Sequence, residues 1–229
     1  MLKEKLYQNL VQEFKEYNRF PDNILNPYTI DERFKNQIAL NPWELWYGNL
    51  DAEILLIGQD FSHKEYFIKN LDSNWQKEID SPTNKTLQIL FKNLGYEIEL
   101  PEYGKVNKSL PLFFTNAVLG IKLGENNGMS EPVKYSWYSE TAKLFTKELI
   151  NIIQPNYIIT LGQHAYQMMC RAYDAKVERP FKNVQIEQKT NEQFQWFAVY
   201  HCSPSSLSRN RGLTEQQNDW TKIKKLIKK

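Results

Sequence analysis

GNLDAEILLIGQDFSH, residues 48–63, decides the fold class. Its centre, Ile54-Leu55-Leu56-Ile57, is a continuous β-prone apolar run, too short for a membrane span and suited to a core strand. It stops abruptly at Gly58, and residues that can carry chemistry follow: Gln59, Asp60, Ser62 and His63, with Phe61 among them. Three further runs repeat this design. Leu112 to Thr115 ends at Asn116, Tyr157 to Leu161 leads straight into GQHAYQMMCRAY, and Gln195 to Tyr200 runs into HCSPSSLSRNRG.

Helical patterns lie between these strands. Asp80-Ser81-Pro82-Thr83 is a helix-start signal, and TLQILFKNLG follows as a helix closed by Gly95. Trp137 to Ile153 reads as one long helix stopped by Pro155, and a final helix runs from Leu213 with Thr214 as its N-cap. Ahead of them, amphipathic helices broken by FPDN and LNPYT carry a packing stripe of Leu6, Leu10 and Phe14. Strands separated by helices predict a three-layer αβα fold with a mostly parallel central sheet. A length of 229 residues favours one domain, with residues 1–44 as a helical extension and 45–225 as the core. In such folds ligands bind outside the carboxyl ends of the strands. Here those ends carry GQDFSH, TNAV, GQHAY and HCSPSS, and the three histidines, His63, His164 and His201, fall in three of them.

Composition narrows the function. Hydrophobic residues at 41% supply a core without disulfide or metal support. Cys170 and Cys202 are too few for a disulfide framework or an iron–sulfur cluster, and no metal or cofactor is expected. The N-terminus lacks a signal-peptide core and no apolar run is long enough to span a membrane, so a cytoplasmic protein without membrane contact is expected; a monomer is expected as well. A net charge of +2 leaves any attraction for nucleic acid to local patches. The five lysines of KIKKLIKK, residues 222–229, read first as the solvated face of a helix docked through Ile223, Leu226 and Ile227.

The strand ends make a coherent chemical set. Asp60 supplies a carboxylate just after a glycine that permits close approach. Asn116 supplies a planar amide able to pair with the edge of a nucleobase. His201 supplies an imidazole, followed by small hydroxyls suited to phosphate oxygens. Together they could activate water, read a base and stabilise a developing anion.

These residues resemble the motifs of the uracil-DNA glycosylase superfamily. ILLIGQD with FSH is similar to GQDPYH, LFFTNAVLGIK to the central LLLN-type strand, and VYHCSPSSLSRNRG to the closing HPSPLS…RG element. The resemblance spans roughly residues 45–225 and mixes family-1, single-strand-selective and mismatch-specific features. It implies hydrolysis of the N-glycosidic bond of a flipped-out base in damaged DNA. By that resemblance Asp60 orients water and stabilises the cationic sugar, and His201 donates a hydrogen bond to the anionic base. Asn116 reads the uracil edge and Gln59 lies against the base. Ser203, Ser205, Ser208, Arg209 and Arg211 contact DNA, and Leu207 wedges into the vacated stack.

The departures matter equally. Phe61-Ser62 stands where the motif has Pro-Tyr, whose tyrosine blocks the thymine methyl, so strict uracil selectivity is not implied. The stacking aromatic is not at its usual spacing, and Trp75 is the nearest candidate, with Phe61 and Phe67 as rivals. His63 and His164 read as structural residues, and no lysine stands out as an amine nucleophile, which implies a monofunctional enzyme. A catalytically weak nucleic-acid- or nucleotide-binding relative is the alternative, and a small-molecule hydrolase using Asp60 and His201 is a third possibility.

Overall fold

The apolar run at residues 54–57 forms the middle of a sheet. In a computed structural model, which describes residues 2–101, 106–126, 129–179, 181–183, 189–190 and 193–227, β1 (Ile54–Gly58) is buried along its whole length. It lies between β2 (Leu112–Asn116) and β3 (Tyr157–Leu161), both parallel to it. Two further strands, β4 (Lys189–Thr190) and β5 (Gln195–Val199), complete the order β2-β1-β3-β5-β4. The first four of these are parallel, and β4 pairs antiparallel with β5 at the edge. The register brings the strand ends level: Gly58 faces Asn116, and Leu161 faces Val199.

Successive residues of a strand point to opposite faces, so Phe113 and Phe114 report on both sides of the sheet. Phe113 meets Tyr7 of α1 (Leu2–Glu16) edge-on at 6.0 Å. Phe114 lies 5.3 Å from Phe91, which is carried by the helix Pro82–Leu94. Helices therefore cover both faces, which explains why β2 needs no polar alternation. Numbering the main helices in chain order, α2 is Lys64–Asp72, α3 Pro82–Leu94, α4 Lys147–Ile153, α5 Gly162–Ala172, α6 Pro204–Arg209 and α7 Leu213–Ile227. On one face α3 packs on α7 through Phe91 and Trp220, 5.1 Å apart, and on the other α1 packs on α4.

Several local expectations need correction. The buried stripe of α1 is Tyr7, Leu10, Val11 and Phe14, whereas Leu6 is 44% exposed. Phe14 meets Phe145 edge-on, which fixes the rotation of α1 and turns Leu6 to solvent. Trp137 to Ile153 is not one helix. A 3₁₀ turn at Tyr135–Trp137 precedes a π-helical turn, Ala142–Thr146, which runs into α4. That helix ends at Gln154 with φ +53°, since the residue before Pro155 is barred from continuing it. α7 already starts at Leu213, where the Gly212 carbonyl accepts from Gln216 N–H, so Thr214 lies inside the first turn and is not the N-cap. Gly95 closes α3 as expected, with φ +109°.

The first 44 residues are built into the core. Tyr7 Oη donates to the buried Glu44, which also accepts from the Leu40 amide at 2.9 Å and Thr115 Oγ1 of β2 at 2.7 Å. Asn41 caps a 3₁₀ turn, Pro42–Leu45, that lies against β2. No helix among the described residues is long and apolar enough to cross a membrane.

Candidate active site

The carboxyl ends of β1, β2, β3 and β5 open onto one cleft of about 780 Å³. Asp60, Asn116 and His201 line it together, as do Gln59, Phe61 and Ser62. Three chain segments more than fifty residues apart thus meet where the sheet ends.

Asp60 is held from several sides. Its Oδ1 accepts from the Ser62 amide at 2.7 Å and its Oδ2 from Gln59 Nε2 at 3.0 Å. The turn forces Ser62 to φ +74°, a left-handed conformation that costs a non-glycine residue on the order of 1–3 kcal/mol. Lys122 supplies the remaining restraint: its Nζ lies 2.9 Å from Asp60 Oδ1 and also donates to the Glu131 carbonyl at 3.1 Å. Lys122 lines the cleft, although no strand-end motif singles it out.

Asn116, 2% exposed, ends β2 beside Gly58. A Cβ on Gly58 would sit 2.4 Å from Asn116 Oδ1 and 2.7 Å from the Trp43 ring, so only glycine fits there. Trp43 forms part of the cleft lining, 5.5 Å from Phe114. Asn116 Nδ2 donates to Asn41 Oδ1 at 2.8 Å.

His201 follows β5. The Ser203 amide donates to its Nδ1 at 3.1 Å, so in the neutral ring the proton resides on Nε2. Burial lowers the His201 pKa, against an opposing pull from Asp60, which favours that neutral form. Gly162, at φ +86°, lets the end of β3 pass close by, since a Cβ there would stand 3.1 Å from His201 Cβ. Next to it His164 lines the cleft instead of serving only as a packing residue. Its pKa is lowered by burial, while Asp60 raises it and Lys122 lowers it. His63 is buried at the start of α2, where its backbone bridges to Lys122, and stays outside the cleft lining.

One wall was not foreseen. Glu78 is buried, and burial raises its pKa although Tyr66 and Asn84 hydrogen-bond to its carboxyl group. Tyr66 Oη donates to Glu78 Oε1 at 2.7 Å and Asn84 Nδ2 to Oε2 at 2.8 Å, and all three residues line the cleft. Nothing in their spacing marks them in the sequence, because they come from three separate helical segments.

The closing loop is divided. Ser203, Ser205 and Arg209 line the cleft, whereas Leu207 and Ser208 lie outside its lining. α6 causes this, since residues along one short helix cannot all face one way. Arg211 is committed elsewhere: its guanidinium grips Asp219 of α7 in a two-pronged pair, with Nη2 donating to Oδ1 at 2.7 Å. Trp75 is 4% exposed and packs against Phe61 at 5.6 Å, outside the lining. Phe67 is fully buried, which leaves Phe61 as the member of that trio in the cleft. Cys202, where the motif has proline, is buried behind the loop, and burial pushes its thiol up to about 12. No cluster of His, Cys, Asp and Glu among the described residues could hold a metal ion.

A comparison with curated proteins gives no match. The family model described as the uracil DNA glycosylase superfamily matches residues 45–226, which takes in all four parallel strands and every strand end that opens on the cleft. The chain belongs to the uracil DNA glycosylase superfamily.

Proposed function

We propose that the chain is a DNA glycosylase that hydrolyses the N-glycosidic bond of uracil, or of a related deaminated base, in DNA. The observation that carries this is the convergence of Asp60, Asn116 and His201 on one cleft at the strand ends. A base flipped into the cleft would meet the Asn116 amide along its edge. As the C1′–N bond breaks, the sugar becomes cationic and the base anionic. Asp60, fixed by Ser62, Gln59 and Lys122, orients the water that bonds to C1′ and stabilises the sugar cation. The His201 Nε2–H, aligned by the Ser203 amide, donates to the base oxygen that gains charge. A preorganised donor of this kind is worth about 2.7–4 kcal/mol in the transition state. Lys122 is engaged by Asp60 and the Glu131 carbonyl, so the proposed reaction is base excision without strand cleavage.

Phosphate contacts fall to Arg209, Ser203 and Ser205, with Lys182 at another part of the cleft. A panel of oligonucleotides containing uracil, hypoxanthine, xanthine or mismatched thymine, in single and double strands, tests the proposal. Alkali-labile abasic sites in one or more substrates support it, and intact strands throughout reject it.

A second reading, a nucleic-acid-binding relative with little catalysis, is favoured by the Lys122–Asp60 pair. A lysine beside the carboxylate offsets the negative charge that would stabilise the sugar cation. In that case the same panel would show binding without excision.

A further inference from the structure

Asn41 lies before the residues matched by the family and is fully buried. Which way its amide points is fixed from both ends. Its Oδ1 accepts from the Trp43 backbone N–H at 3.0 Å, a group that can only donate. Its Nδ2 faces the carbonyls of Leu119 at 3.2 Å and Val118 at 3.4 Å, groups that can only accept. Exchanging the two ends would set donor against donor and acceptor against acceptor. The atom turned toward Asn116 is therefore an acceptor, and Asn116 must present its Nδ2 to it, as it does at 2.8 Å.

We infer that Asn41 is a positioning residue that sets the polarity of the Asn116 amide and thereby selects uracil over cytosine. This rests on Asn116 as the base-reading amide. With one N–H given to Asn41, Asn116 retains one N–H and its Oδ1, neither of them partnered among the described residues. That pair complements uracil, whose N3–H donates and whose O4 accepts. Cytosine reverses both, with an N3 lone pair and an N4 amino group, and would need the amide turned over. An isolated asparagine can turn over by rotating its terminal torsion, which is broad and roughly two-fold. Asn41 removes that freedom. The three backbone groups holding Asn41 belong to the Pro42–Leu45 turn and to the segment after β2, so the lock is built from the fold itself.

The test compares single-turnover excision from matched oligonucleotides bearing one uracil or one cytosine, using wild type, Asn41→Ala and Asn41→Asp. In Asn41→Ala the cytosine-to-uracil rate ratio rises about tenfold or more, the scale of one lost hydrogen bond. Asn41→Asp keeps the ratio, because at this buried site the acid stays protonated: one oxygen still accepts from Trp43 and Asn116, and the hydroxyl donates to the Leu119 or Val118 carbonyl in place of Nδ2. A folded Asn41→Ala protein that loses uracil activity at an unchanged ratio overturns the inference and leaves Asn41 a merely structural residue. Hydrogen exchange of the Asn116 side-chain protons, read by NMR on the wild type, decides independently of activity and of how the alanine variant folds. One protected proton supports the lock, and two unprotected protons overturn it. Wild type that excises neither base rejects the glycosylase proposal, while the exchange measurement still judges the lock.

Discussion

Lys122 Nζ and Asp60 Oδ1 stand 2.9 Å apart with their side chains only 2% and 8% exposed. Removing one partner of a buried pair strands the other charge, at a cost of about 3–5 kcal/mol. Lys122→Met should lower the unfolding free energy by that order in urea titrations. The double variant Asp60→Asn/Lys122→Met should recover much of the loss, because no lone charge remains. A Lys122→Met protein as stable as wild type would show that the pair is solvated in solution.

Asp60→Asn and His201→Ala should each lower the single-turnover excision rate at least about tenfold, given the size of such electrostatic contributions. DNA affinity should change far less, since neither side chain belongs to the proposed phosphate contacts. Stopped assays with enzyme in excess, paired with binding titrations, separate the two effects. Wild-type rates in both variants would remove these residues from the chemistry.

Arg209 and Arg211 should behave differently despite their spacing. Arg209 lines the cleft, so Arg209→Ala should flatten the log–log salt dependence of DNA binding by about 0.7–0.9, the contribution of one phosphate. Arg211 is paired with the buried Asp219, so Arg211→Ala should leave the slope alone and destabilise the fold by about 1–3 kcal/mol. Affinity titrations at several salt concentrations, with thermal melts alongside, distinguish the two outcomes.

Glu44 gives a pH signature. Burial pushes its carboxyl group from an ordinary 4.5 up to about 7, with hydrogen bonds from Tyr7 and Thr115 pulling the other way. The folded chain thus binds this proton more tightly than the unfolded chain does. The resulting stability is complete below pH 4.5 and is lost as pH rises through about 7. Glu44→Gln cannot titrate, so the stability of wild type relative to this variant should fall across that window by a few kcal/mol. Urea titrations at a series of pH values measure the difference, and a constant offset would contradict the assignment.

The four parallel strands were legible because each is a mainly apolar run that ends at or just before a glycine, asparagine or histidine, whereas the edge strand Lys189–Thr190 carries no apolar residue and leaves no such trace. A buried strand covered on both faces leaves that trace in any sequence. The cleft was legible only where its residues immediately follow those strands, as Asp60, Asn116 and His201 do. Lys122 closes the apolar run Val118-Leu119-Gly120-Ile121, and its burial depends on Asp60, sixty-two positions away. Asn41 and Trp43 sit in a turn whose local pattern says only that the chain bends. Trp75 was misplaced for the same reason. Its proximity in sequence to the first motif says nothing about packing beneath Phe61, which tertiary contacts decide.

Helix α7 fastens the cleft without lining it. Gln216 Nε2 donates to the carbonyl oxygens of His201 and Arg211, both at 3.1 Å, while Asp219 receives the Arg211 side chain. Every residue lining the cleft comes before Gly212, yet the loop that carries His201 is fastened by residues that follow it. Domains fold as units, so this fastening forms together with the sheet that it covers. A chain ending at residue 212 would keep every cleft residue but lose the fastening of the His201 loop and the Trp220 ring that covers Phe91. The residues that line the cleft are therefore fewer than the residues needed to build it.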